Sequence, residues 1–425
     1  MNVTQKTTAQ ECRRTHEPLP TFNLTLGPEM KLMLALARLA SGDEGEKGLK
    51  GLLASIYWPK FLKLCAWHGL FPLVHRNLGN LPAVTVAMPT EVTVALARSF
   101  RQNAIRMTGL GGEVVRLTSL LEKAGVRVLP WKGPVAALQI FGHISLRKSS
   151  DIDLLVAPED LGRALAILQQ SGYEALGYPA SWPPEKLLRV TRHKHDLPLR
   201  NAARGVTVEL HRRVSPLIGH SAMVFDLMWQ DAEVVAWGGH AFRAPPREIA
   251  FLAFSVHGAH HGWAQLRWLS DIAVLLTAKE PLDGERILRE ARKLRVTDIV
   301  LQALILAELF FDTPVPDWAE QSICRNRSAK KLARMAAAFI TAPPETAKAA
   351  LFDRSFGISH PLYWAVNRYN MALCPTLPRK ASNLLRSIAP SAETVEWMAL
   401  PDSLFFLYYP LHLFFWFRRR VVKGL

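Results

Sequence analysis

The sequence predicts an α+β protein: a small mixed β-sheet, preceded by N-terminal helices and followed by a C-terminal helical bundle. Three observations predict it. Apolar residues recur at helical spacing from Met30 to Leu81, short β-branched runs alternate with helical stretches between Val126 and His211, and helical spacing returns beyond Pro245-Pro246. A chain of 425 residues is long enough for two or three domains. The expected divisions are an N-terminal helical segment at 1–88, an α/β core at 89–247 and a helical domain at 248–425. Apolar residues make up 49% and charged residues 21%, which excludes a disordered or low-complexity chain.

Taken in order, Leu32, Leu34 and Leu36, then Phe61, Leu64 and Cys65, mark helical faces in the opening segment. Leu81 to Pro89 reads as a linker. A long helix follows from about Glu91 to Lys123, with Gly109, Gly111 and Gly112 as a weak point. Val126 to Trp131, bounded by Gly125 and Gly133, reads as a buried strand ending in a tight turn. Val135 to Phe141 is helical, Gly142 to Ser150 a loop, and Asp151 to Val156 a second strand. Pro158-Glu159-Asp160 opens a helix that runs to Gly172. Asp196 to Leu199 and Val206 to His211 supply two more strands, joined through Asn201 to Gly205. Glu248–Ala259, Leu266–Thr277, Gly284–Lys293 and Val296–Phe311 are the helices of the bundle.

A net charge of +16 suits partners that carry phosphate or an anionic membrane surface. The four cysteines (Cys12, Cys65, Cys324, Cys374) lie far apart with no CxxC pair, so neither a disulfide framework nor a cysteine zinc site is expected. With no apolar leader in the first thirty residues, the expected location is cytoplasmic. No run reaches the ~20 apolar residues of a spanning helix. The nearest, Leu404 to Phe417, is 14 residues long, broken by Pro410 and His412, and abuts Arg418, Arg419 and Arg420. This tail is a candidate for peripheral membrane contact, the alternative being a final helix packed on the bundle.

Chemistry concentrates in Arg147-Lys148-Ser149-Ser150-Asp151-Ile152-Asp153. Residues two apart on a strand share a face, so Asp151 and Asp153 present two carboxylates side by side. Two crowded anions call for a cation, and hard oxygen ligands favour Mg²⁺ or Mn²⁺. Val206 to His211 alternates as a further strand and offers Glu209, or alternatively His211, as a third ligand. Three carboxylates on adjacent strands suit a pair of metal ions clamping an in-line phosphoryl displacement. Lys132 and Arg147 are suitable phosphate partners, with surface charge as the alternative.

These residues carry a resemblance. Leu129-Pro130-Trp131-Lys132-Gly133, Leu146-Arg147, Ser150-Asp151-Ile152-Asp153-Leu154-Leu155-Val156 and Val208-Glu209-Leu210-His211 resemble the uncharacterised nucleotidyltransferases of the polymerase-beta-like superfamily. Trp67-His68-Gly69-Leu70 and Leu266-Arg267-Trp268-Leu269-Ser270-Asp271 extend it more loosely. Gly133 is followed by Pro134 where the superfamily has a second small residue, and 17 residues separate Gly133 from Asp151. The resemblance implies a nucleotidyltransferase core in which Asp151, Asp153 and Glu209 bind metal and catalyse. Lys132, Gly133, Arg147, Ser150 and His211 are the expected substrate-binding set. It further implies transfer of a nucleoside monophosphate from a nucleoside triphosphate to an acceptor hydroxyl on a small molecule, a protein or an RNA, with pyrophosphate leaving. The alternative is a non-catalytic nucleotide-binding or membrane-surface scaffold with the same fold.

Three further features carry blander expectations. His193, His195 and Asp196, just before a strand, are candidates to contact substrate or metal, with an exposed turn as the favoured reading. His257, His260 and His261 share a helix face, and packing or lining the cleft is favoured over a zinc site. Asp271 is expected to pair with Arg267 or with the base of the cleft. Replacing either Asp151 or Asp153 is expected to leave stability unchanged or to raise it, by relieving repulsion.

Overall fold

The helical opening folds as α1 (Pro28–Ala37), α2 (Trp58–His68), α3 (Phe71–Leu78) and α4 (Pro82–Ala87) in a computed structural model. The structure describes residues 25–38, 49, 51–219, 221–353, 361–374, 376–377, 380–381, 392–398, 400–412 and 414. Helix α4 stands where a linker was expected. Pro82 sits in its first turn, where no backbone N–H is needed, and Val84 anchors it by full burial. Helix α5 (Thr90–Lys123) runs 34 residues without a break. It passes through Gly109, Gly111 and Gly112 without interruption, and Gly111 gives room for packing: a Cβ there would come within 2.9 Å of Ile144 and Trp237.

Five strands form the main sheet: β1 (Val128–Pro130), β2 (Ile152–Val156), β3 (Glu174–Ala175), β4 (Asp196–Asn201) and β5 (Val206–His211). Their order is β1-β2-β5-β4-β3, with β2 and β5 parallel and every other pair antiparallel. Between them lie α6 (Gly133–Phe141), α7 (Leu161–Gln170) and α8 (Pro184–Val190). A short α9 (Ser221–Trp229) then leads to a hairpin, β6 (Glu233–Trp237) and β7 (His240–Ala244). Both turn glycines, Gly238 and Gly239, have positive φ, the signature of a tight hairpin turn. Neither β3 nor this hairpin was expected from the sequence.

The later helices are α10 (Arg247–His260), α11 (Leu266–Leu276), α12 (Gly284–Lys293), α13 (Thr297–Phe311), α14 (Asp317–Arg325) and α15 (Arg327–Ile340). The fold is therefore α+β with a small mixed sheet between helical layers. Alternation along the strands feeds two cores. Ile152, Leu154, Val156, Val208 and Leu210 pack against α5 and α7, while Leu129, Trp131 and Leu155 belong to a second core with α1, α10 and α13. Asp153, in register between Ile152 and Leu154, must project toward this second core.

Near the C-terminus, Phe405 and Tyr408 bury themselves in the sheet-side core, with the Arg192 guanidinium 4.7 Å from the Phe405 ring. Phe415, Trp416, Phe417 and Arg418 to Arg420 lie outside the described residues, as does Cys12. Among the described residues, no helix is long and apolar enough to cross a membrane.

Candidate active site

The parallel pairing of β2 with β5 sets Asp153 directly beside Glu209, and His211 follows two residues on, on the same face. Their ligand atoms lie within 4.8 Å of one another, the one group of three or more His, Cys, Asp or Glu so placed among the described residues. His211 Nε2 is 2.9 Å from Asp153 Oδ1 and 3.2 Å from Glu209 Oε2, while its Nδ1 lies 3.2 Å from the Arg213 carbonyl. A carbonyl and two carboxylates can only accept, so both ring nitrogens carry protons and the ring is an imidazolium.

Lys132 closes the network. Its ammonium is 2.5 Å from Asp153 Oδ1 and both side chains are almost fully buried. The ammonium also rests 4.6 Å from the Trp131 ring, and that ring stacks on Phe254. The site is thus neutral: Asp153 and Glu209 against Lys132 and His211.

The titration shifts follow from this closure. Burial alone would lower His211, but hydrogen bonds to Asp153 and Glu209 outweigh it and raise the ring to about 10. Burial would raise Asp153, yet Lys132 and His211 hold it well below its usual range. Lys132 likewise stays charged, since Asp153 and Glu209 overcome its desolvation. Glu209 is shifted up, by burial first and by the neighbouring Asp153 charge.

Asp151 stands outside the group. It is half-buried at the mouth of β2, where Ser149 Oγ donates to its Oδ1 at 3.1 Å and Ser150 Oγ to its Oδ2 at 3.3 Å. Gly133 opens α6 with φ +58, and a Cβ there would meet the Asp151 carbonyl at 3.2 Å. Glycine lets the two loops that frame the carboxylates close on each other.

Arg147 is buried and held by Asp271 through three hydrogen bonds of 3.0 to 3.1 Å. Asp271 therefore pairs with Arg147 across the fold and not with Arg267 one turn away. Burial of a carboxylate demands a partner, and Arg147 offers two donors at once. No local spacing signals a pair 124 residues apart.

A histidine wall borders the network. His195 lies 5.8 Å from His211 and 5.6 Å from His260 by ring centroids, and His257, His261 and Trp268 form a further ring cluster. Burial, helped by nearby positive groups, pushes His195, His257 and His261 well below the usual range, so they are neutral. Among the described residues these histidines do not converge as metal ligands; they line and pack. His195 is half-buried beside His211 rather than exposed, in the bend immediately before β4, whose first residue Asp196 pairs with His211 on β5.

Two carboxylates on one sheet face suit a hard divalent cation, and His211 adds a nitrogen that suits the transition-metal end of that range. The residues present therefore fit a metal, provided Lys132 and the His211 proton give way.

A small mixed sheet flanked by helices, with acids side by side on adjacent parallel strands, is consistent with a nucleotidyltransferase-like fold. A family model described as an uncharacterised nucleotidyltransferase matches residues 54–312, more than half of the chain, and the chain belongs to that family. No curated protein and no solved structure matches the chain significantly.

Proposed function

We propose that the protein transfers a nucleoside monophosphate from a nucleoside triphosphate to an acceptor hydroxyl, releasing pyrophosphate. The observation that carries the reading is the side-by-side register of Asp153 and Glu209 on β2 and β5. Membership of the uncharacterised nucleotidyltransferase family supports the reading. Asp153 and Glu209 would hold Mg²⁺ or Mn²⁺, with Asp151 free to join at the open edge. Bound there, the cation would neutralise charge on the phosphoryl oxygens and favour the alkoxide of the acceptor. Glu209, the more exposed of the two paired acids and shifted upward, is the group placed to take the acceptor proton. Lys132 is placed to exchange Asp153 for a phosphate oxygen once the carboxylate is otherwise neutralised. The outline of three divisions, at 88 and 247, belongs to the same proposal, as does metal dependence itself.

The test is incubation of purified protein with each α-labelled triphosphate, Mg²⁺ or Mn²⁺, and cell extract. Label transfer by wild type, cut at least ~100-fold in Asp153→Asn and Glu209→Gln, is expected, since a lost ligand removes several kcal/mol of charge stabilisation. Absence of transfer with any nucleotide and either metal would favour the non-catalytic scaffold, whose built-in cations, Lys132 and His211, already satisfy the acids.

A further inference from the structure

Beside Asp151 the structure opens a cavity of about 850 Å³ between the N-terminal helices and α5, bounded on the site side by Ser149 and Ser150. No acidic residue lines it, whereas Lys148 and Arg106 do. Arg267 stands next to Lys148: the two stems pass within 3.0 and 3.5 Å of the point where a Cβ on Gly69 would be. That glycine has φ +68, so the Trp67-His68-Gly69-Leu70 turn is shaped to let both cations pass.

Among the described residues, none of Arg106, Lys148 and Arg267 forms a salt bridge, and Arg267 Nε is buried without a hydrogen-bond partner. Lys148 is depressed by burial and then by Arg267 and Arg106; Arg267 falls to about 10 through burial and Arg147. Arg147 itself is not available, being held by Asp271. Lys148 and Arg267 are half-buried and Arg106 exposed; Asp151, Asp271 and Asp153 act on Arg267 through space but none is in contact with it, so the group is suited to take an anion from outside. Two arginines and a lysine beside a serine hydroxyl match a phosphate group.

The cavity exceeds what a phosphate alone needs and is of small-molecule size. Leu62, Phe71, Leu96 and Gln102 give it apolar and amide walls for a ligand body. A second cavity, of about 340 Å³, lies on the histidine side, lined by His260, His261, Leu217 and Phe352. Its aromatic wall suits the donor base, which leaves the basic cavity to the other substrate.

Resting on the nucleotidyl-transfer reading, we propose that the acceptor is a phosphorylated small molecule whose phosphate is seated by Arg267, Lys148 and Arg106 and whose body fills the 850 Å³ cavity. Its hydroxyl oxygen attacks the α-phosphorus. The new O–P bond forms as the bond from the α-phosphorus to the bridging oxygen breaks, pyrophosphate departs with that electron pair, and the hydroxyl proton passes to Glu209.

Calorimetric titration of the full chain tests this, with inorganic phosphate as the probe, first in EDTA and then with Mg²⁺ and saturating α,β-methylene ATP. Phosphate is expected to bind wild type in both conditions. Lys148→Gln with Arg267→Gln should weaken it at least tenfold, and the exposed Arg106→Gln several-fold with unfolding unchanged. Failure of phosphate to bind, or equal binding by all variants, overturns the anion seat. Competition between phosphate and the analogue assigns these cations to the donor triphosphate and overturns the acceptor. Phosphate binding with no analogue binding sinks the nucleotide reading and the acceptor assignment with it, leaving an anion site of another kind.

Discussion

Replacing Asp153 by asparagine leaves Lys132 and His211 buried with one carboxylate between them. Wild type sets two anions against two cations within a few ångströms, with Asp153 touching both Lys132 at 2.5 Å and His211 at 2.9 Å. Removing one member of a buried ion pair costs about 3 to 5 kcal/mol. In a chain of this size that corresponds to a fall in Tm of about 3 to 6 °C. Asp151→Asn loses only hydrogen bonds from two serine hydroxyls at a half-exposed position, worth under about 1 kcal/mol. The two variants, one strand step apart, should therefore separate cleanly in thermal unfolding under EDTA at neutral pH. Lys132→Met added to Asp153→Asn should recover part of the loss, because the stranded ammonium goes with it. Equal melting of Asp151→Asn and Asp153→Asn, or an Asp153→Asn protein as stable as wild type, would refute the charge closure. The sequence alone leads to the expectation that losing either acid relieves repulsion; the ion pairs of Asp153 with Lys132 and His211 predict the opposite for that residue.

Other outcomes follow from the same geometry. His211 is raised toward about 10, so its contribution is complete below its ordinary unfolded value and is lost as pH climbs through about 10. Metal-free stability should fall over that alkaline range, and His211→Gln should flatten the slope in a pH series of denaturant midpoints. Asp153, shifted downward, contributes above the ordinary carboxylate range and loses that contribution on acidification. Asp271→Asn strands the buried Arg147 and should cost about 3 to 5 kcal/mol by chemical denaturation, with Arg147→Met plus Asp271→Leu far milder. Gly69→Ala demands a left-handed residue and a Cβ 3.0 Å from Arg267 Cδ, so it should destabilise by about 1 kcal/mol or more in the same measurement.

Much of the scaffold was legible because strands with one face in each of two cores still alternate, and because Pro158-Glu159-Asp160 is an unambiguous helix opening. The acids were legible through the two-residue period that aligns Asp151, Asp153 and Glu209 as candidates. Which of them meet was not, since that depends on the parallel register of β2 against β5, which no local pattern encodes. The same register turns His211 from a substrate-binding candidate into the proton-bearing link between two carboxylates. Arg147 and Asp271 illustrate the limit: each is visible as a charge in an apolar setting, but their pairing belongs to the packing of α11 against the loop before β2. The β6–β7 hairpin escaped because its strands are short and only Phe242 and Ala244 are fully buried, so its signal rests on Gly238-Gly239.

Crystals of wild type grown with Mn²⁺ and an α,β-methylene nucleoside triphosphate, measured for anomalous scattering, address the two acids most directly. A manganese peak bridging Asp153 and Glu209, with the Lys132 ammonium moved off Asp153 onto a phosphate oxygen, is the expected result. Nucleotide bound with Lys132 and His211 still clasping Asp153, and no manganese between the acids, would contradict it.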